Sequence, residues 1–210
     1  TWETIVRAHT ENIMKSEVRH ILPIVISIAL NDKNKAKQLM QVALEAGIPY
    51  SSLYESILQI HLFAGYPASI EGLALLQEVY HQEPNPVEPY DLLLFKQRGE
   101  EFCRDIYTTV FEKMNKRMHS FSPELAEWMI IDGYGKTLSR PGLDIQTREL
   151  INICILSLGK WKQQCISHVR GALNVGLTIE EIHKGIAFLQ EEETKEAHAF
   201  ALDIISDFQS

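Results

Sequence analysis

The sequence predicts an all-α protein, on three observations. Apolar residues recur at helical spacing through most of the chain, with no convincing alternating strand. Ser52-Leu53-Tyr54-Glu55 and Thr178-Ile179-Glu180-Glu181 follow the pattern in which a hydroxyl and a glutamate cap a helix N-terminus reciprocally. Gly47 and Gly176 stand where helical patterns stop, as glycines do when a helix closes in a left-handed turn.

Taken in order, a first helix is expected over about Trp2–Lys15 and a second over about Glu17–Leu30. The second is apolar nearly all round, which implies burial on every side. Pro23 fits it only in the first turn, because proline has no N–H to donate. Asn31-Asp32-Lys33-Asn34 breaks the pattern. A third helix follows over about Lys35–Glu45, a fourth from the Ser52 cap to an interruption at Gly65-Tyr66-Pro67, and a fifth over about Ala68–Tyr80. The run Glu83-Pro84-Asn85-Pro86-Val87-Glu88-Pro89 is the best boundary in the chain. It divides residues 1–82 from residues 96–210 through a proline-rich link at 83–95. Beyond it, helices are expected over about Tyr90–Lys116 and Pro123–Tyr134. After the Arg140-Pro141-Gly142 turn come three more, over about Gln146–Leu158, Lys162–Val175 and Ile179–Phe208.

The chain has 210 residues, 45% hydrophobic and 23% charged, enough to bury a core in one domain or two small ones. A net charge of -8 without a basic stripe argues against nucleic acid and against anionic membrane surfaces as partners. The longest apolar runs, Ile21–Leu30 and Leu150–Leu158, are about half a membrane span and read as buried helices. The opening residues show no secretory signal. Cys103, Cys154 and Cys165, an odd and sparse set, suit a reducing compartment, so a cytoplasmic location is expected. No His-x-x-x-His or Cys-x-x-Cys pair occurs, and no phosphate-binding glycine loop, nucleophile elbow or dinucleotide fingerprint. No metal and no cofactor is therefore expected.

Sliding the sequence against itself by 129 positions brings two stretches into register without a gap. Arg19 falls on Arg148, Ile24 on Ile153, Lys33 on Lys162, Ala43-Leu44 on Ala172-Leu173, Gly47 on Gly176 and Ile57 on Ile186. The shared order (buried helix, polar break, helix, glycine, capped helix) reads as two degenerate repeats of a helical hairpin unit. The copies differ in chemistry: Glu149 is matched by His20 and His168 by Leu39, while Gly65-Tyr66-Pro67 is matched by Thr194-Lys195-Glu196. Each half keeps what the other lost, which suggests one site assembled from both.

Three motifs carry a resemblance. Ser139-Arg140-Pro141-Gly142-Leu143-Asp144 leads to Thr147-Arg148-Glu149-Leu150. His168-Val169-Arg170-Gly171-Ala172-Leu173 ends at Gly176. Thr178 to Ile182 opens the next helix. In this order and spacing they resemble the carboxymuconolactone decarboxylase family, related to the alkylhydroperoxidase D proteins. Lys96-Gln97-Arg98-Gly99-Glu100 is similar to the family's lead-in, and Gly65-Tyr66-Pro67-Ala68 to its Gly-x-Pro-Ala turn, present in the first half only. The resemblance implies an all-α, alkylhydroperoxidase D-like fold and a homo-oligomer (dimer, trimer or hexamer). It also implies chemistry on a small carboxylated, lactone-like substrate.

Glu149 is expected in the first turn of a buried helix, partly desolvated, where its pKa rises toward neutrality and it can exchange a proton. His168 lies at the family's characteristic histidine, with an intrinsic pKa suited to proton transfer. Decarboxylation needs a cation to hold substrate carboxylate and an acid to protonate the carbon that carbon dioxide leaves. Arg148 or Arg170 can supply the cation, His168 or Glu149 the acid, and Tyr66 a further substrate contact. Each has a structural reading beside this one: Glu149 as a helix-end carboxylate favoured by the dipole, His168 as a satisfied interior histidine, the arginines as ion-pair residues, Gly65-Tyr66-Pro67 as a helix-breaking turn. The hydroperoxidase branch adds a Cys-x-x-Cys pair to the glutamate–histidine relay. Those positions fall at Trp161 and Gln164, so the dithiol cycle cannot run. Cys165, one residue beyond the second position, is the possible redox thiol of a peroxide-reducing alternative. A non-catalytic ligand-binding or scaffold homologue is the other alternative.

Overall fold

The computed structural model describes residues 17–84 and 86–209, so the helix expected over Trp2–Lys15 lies outside the described residues. Among the described residues every regular element is helical. None of these helices is long and apolar enough to cross a membrane. The chain forms two compact units, Thr1–Gln82 and Glu83–Ser210.

In the first unit, α1 (residues 17–29) is the central element. Ile21, Leu22, Ile24 and Val25 on it are wholly buried, as its all-round apolar character requires. Pro23 departs from expectation. The helix is already formed at residue 17, so Pro23 sits beyond the first turn. Burial on every side holds the helix through the missing N–H, since tertiary packing supplies most helical stability. Asp32 starts α2 (Lys33–Glu45) by accepting from the Lys35 N–H at 3.0 Å, two residues earlier than the apolar pattern suggests. The helix closes as foreseen at Gly47 (φ 75°), with Ile48 N–H on the Ala43 carbonyl and Gly47 N–H on that of Leu44. The capping box expected at Ser52–Glu55 does not form. α3 (Tyr50–Gln59) begins directly after Pro49, so Ser52 is already inside the helix and its hydroxyl donates to Glu17. α4 (His61–Tyr80) is interrupted at Gly65 (φ 85°, ψ 161°), the expected break. Further along α4, a Cβ at Gly72 would come within 2.7 Å of Ile57 and 2.8 Å of Ile28, so a bare backbone is what lets α4 sit on α3 and α1.

In the second unit residues 86–90 carry no regular structure and lead to α5 (Leu92–Tyr107), capped by Asp91. The single helix expected over Tyr90–Lys116 is two. The chain breaks at Thr108 (φ 47°, ψ −123°) in the β-branched run Thr108-Thr109-Val110 and resumes as α6 (Phe111–Phe121). α7 (Pro123–Trp128) runs on as a π-helix through Met129–Leu138, past the expected end at Tyr134. Then come α8 (Ile145–Leu158), α9 (Lys162–Asn174), α10 (Ile179–Ile186) and α11 (Lys195–Ser206). The helix expected over Ile179–Phe208 is thus also two, broken at Gln190–Thr194, where the buried Thr194 hydroxyl donates to the Leu189 carbonyl at 2.9 Å. The Thr178–Glu181 capping box is present in full, and Gly176 (φ 95°) closes α9 with the same bond pattern as Gly47.

The tightest contact in this unit is between α5 and the π-helix. A Cβ at Gly135 would lie 1.8 Å from the Phe95 carbonyl oxygen, and one at Gly99 2.0 Å from that of Ile130. Arg98 ties the same crossing by donating to the Gly135 carbonyl at 2.6 Å, while its other terminal nitrogen pairs with Glu88 of the link, also at 2.6 Å. Backbone cannot yield as a flexible side chain can. Gly135→Ala is therefore expected to destabilise the second unit by about 3 kcal/mol or more, measured as a lowered urea midpoint. Wild-type stability in that variant would mean the two helices are not held this close.

Candidate functional site

α8 is the most enclosed helix of the second unit: every residue from Thr147 to Ser157 is buried. Asp144 starts it, one carboxylate oxygen accepting the Thr147 N–H at 2.8 Å and the other its hydroxyl at 2.6 Å. The capping carboxylate is therefore Asp144. Glu149 is the fifth residue of α8, in the second turn rather than the first, and does not serve as its cap.

Glu149 instead faces α9. It is 0% exposed, and its Oε2 lies 2.8 Å from Nδ1 of His168, itself 4% exposed. The Asn152 amide donates to Oε1 at 3.2 Å and approaches His168 Nδ1 at 3.4 Å. One proton is thus shared along the Oε2–Nδ1 line. With the proton on nitrogen, Asn152 stabilises the carboxylate; with it on oxygen, the amide faces a neutral imidazole. Gly171, three residues after His168 and so on the same face of α9, makes the approach possible. A Cβ there would stand 3.0 Å from Glu149 Oε2 and 2.6 Å from Ile106 of α5.

A second polar pair lies nearby. The hydroxyls of Tyr107, at the end of α5, and Tyr134, in the π-helix, are 2.6 Å apart and buried. Burial pushes both phenols up, and the charge of Glu149 adds to the rise in each.

The other expected site residues divide. Arg148 is buried and donates to the Arg140 carbonyl at 2.9 Å, tying down the Arg140-Pro141-Gly142 turn. Arg170 is exposed, its guanidinium 5.8 Å from the Phe208 ring centroid. Two residues along α9 from His168, it points about 160° away from it. Tyr66 belongs to the first unit, where it stands 67% exposed against the His61 ring. Cys165 is wholly buried 3.6 Å from the Ser157 hydroxyl, and burial pushes its thiol up to about 11. Almost none of it is thiolate near neutral pH, which works against the peroxide-reducing alternative. Among the described residues no group of three or more His, Cys, Asp or Glu is placed to hold a metal ion.

Four participants escape the sequence reading. Asn152 carries a legible signal, a lone amide three residues after Glu149 in an apolar run. Gly171 carries a weaker one, inside a helix where glycine is unfavourable. Tyr107 and Tyr134 carry none, since their meeting depends on a helix crossing.

Residues 123–203 match the family model described as the carboxymuconolactone decarboxylase family. The match takes in α7 through most of α11, including Glu149 and His168. It starts beyond the Lys96–Glu100 lead-in. No curated protein matches the chain.

All three cysteines are free and buried. Iodoacetamide near neutral pH is expected to leave them unmodified in the folded chain and to alkylate all three in urea. Rapid labelling of folded Cys165, read by peptide mass, would restore the thiol alternative.

Proposed function

From the match of residues 123–203 to the carboxymuconolactone decarboxylase family, we propose that the second unit catalyses proton transfer in the decarboxylation of a small carboxylated, lactone-like compound. Glu149 and His168 are its acid–base pair, and no cofactor takes part. The observation that carries the reading is the buried 2.8 Å contact between the two side chains, because an ionisable pair withdrawn from water is suited to passing a proton without losing it to solvent. The Glu149 carboxylate holds His168 at Nδ1 and supports whichever charge the ring acquires. Carbon dioxide leaves with its carbon–carbon bond broken, the electron pair passes into the conjugated lactone, and the imidazolium delivers a proton to carbon and is reprotonated from solvent.

Arg148 and Arg170, the expected carboxylate-binding cations, are engaged with the Arg140 carbonyl and the Phe208 face. The proposal therefore rests on the acid–base pair alone. The near-complete burial of that pair favours a second reading, a non-catalytic ligand-binding or scaffold homologue. The exposed Leu92, Leu93 and Trp128 support self-association, and the three unpaired cysteines support a reducing, cytoplasmic setting. The halves are read as diverged copies because α2 and α9, and likewise α3 and α10, begin 129 residues apart and end their first members at equivalent glycines.

A thermal-shift screen of small carboxylic acids identifies the ligand, since binding to the folded state alone raises the melting temperature. With that compound, Glu149→Gln and His168→Gln are each expected to cut turnover by roughly 10²–10⁴-fold with an unchanged circular-dichroism spectrum. Full turnover in both variants would leave only the second reading.

A further inference from the structure

We propose that the Tyr107–Tyr134 pair is an oxyanion-binding site: one phenol donates to the other, and the second donates to the carbonyl or enolate oxygen of a small unsaturated lactone carboxylate bound beside Glu149 and His168. The assignment rests on the proton-transfer reading above and supplies what that reading lacks, a group for the charge that develops on oxygen.

The first argument is a count of protons. Two phenols carry two O–H donors, and their 2.6 Å contact uses one. Among the described residues neither hydroxyl has another hydrogen-bond partner, so one O–H points at no protein acceptor. Both residues are buried, and a buried donor without an acceptor is costly unless a ligand or water completes it.

The second argument is how the pair is held. Tyr107 directly precedes Thr108, whose φ of 47° and ψ of −123° are a conformation that a β-branched residue rarely adopts. Tyr134 sits within the π-helix, a geometry that recurs at functional sites. The crossing of Gly99 and Gly135 locks the two elements together. Local backbone cost on both sides converges on two hydroxyls. At Gly171, Ile106 and the Glu149 carboxylate meet, which places the end of α5 against the acid–base pair.

The third argument is chemical. When carbon dioxide departs, the electron pair of the broken bond moves through the conjugated alkene to the lactone carbonyl, whose oxygen becomes anionic. A preorganised phenol O–H stabilises that oxygen more in the transition state than in the ground state. The Glu149–His168 pair then delivers a proton to carbon, the carbonyl re-forms, and solvent restores the proton. Burial and the charge of Glu149 keep both phenols protonated and therefore donors.

4-Nitrophenolate tests the site directly, because it presents an oxyanion on a small ring and its visible band responds to hydrogen bonding. The wild-type protein is expected to bind it about tenfold or more tightly than 4-nitroanisole, which lacks the anion, and to shift its band. Tyr107→Phe and Tyr134→Phe keep the ring: the variant that removes the ligand's donor is expected to abolish that preference and the other to weaken it. Equal binding of the two probes by the wild type would overturn the site without any variant. So would two folded phenylalanine variants with the wild-type preference. Because the readout is binding, it is separate from the turnover of Glu149→Gln: loss of turnover there with no probe preference here would leave the relay standing and remove the tyrosine site.

Discussion

A carboxylate with no exposure must be paired, and in the second unit that requirement organises everything around it. Moving an isolated charge out of water costs far more than a small domain can bear, and breaking a buried pair by removing one member costs about 3–5 kcal/mol. Glu149 is provided for from three directions: His168 across the helix pair, Asn152 one turn along its own helix, and the empty side of Gly171, which lets α9 come close enough for a 2.8 Å contact. Helix starts are settled independently, by Asp144 for α8 and the Thr178–Glu181 box for α10. No functional side chain is consumed in capping.

The same logic governs the approach of α5. Glycine at 99 and 135 removes the side chains that would hold two backbones apart, and Arg98 fastens the crossing to a carbonyl and to the link through Glu88. Close packing of this kind gains dispersion and leaves little freedom to relax. It brings Tyr107 and Tyr134 together near Glu149. Two polar pairs thus share one interior, a concentration that an ordinary apolar core does not need.

The arginines show how a motif can mislead. Arg148 and Arg170 flank Glu149 and His168 so closely in sequence that a substrate clamp is the natural inference. Helical rotation turns Arg170 away from His168: two residues beyond it is most of a half-turn round α9, where Phe208 is the neighbour. Arg148 stays inside, but its donor reaches back to the turn before its own helix and serves that turn. The Ser52–Glu55 box fails for a similar reason: Pro49 starts the helix earlier and leaves Ser52 for Glu17.

Local chemistry was enough to read the helical class, the glycine closures at Gly47 and Gly176, the break at Gly65 and the partnership of Glu149 with His168. Each depends on a few neighbouring residues or on a spacing that helical geometry converts directly into direction. The splits at Thr108 and Gln190–Thr194, the π-helical run, the tyrosine pair and the turning away of Arg170 were decided by tertiary structure. They follow from which surfaces meet and how near two backbones come. Such distances are set by side chains remote in sequence, so no window along the chain contains them.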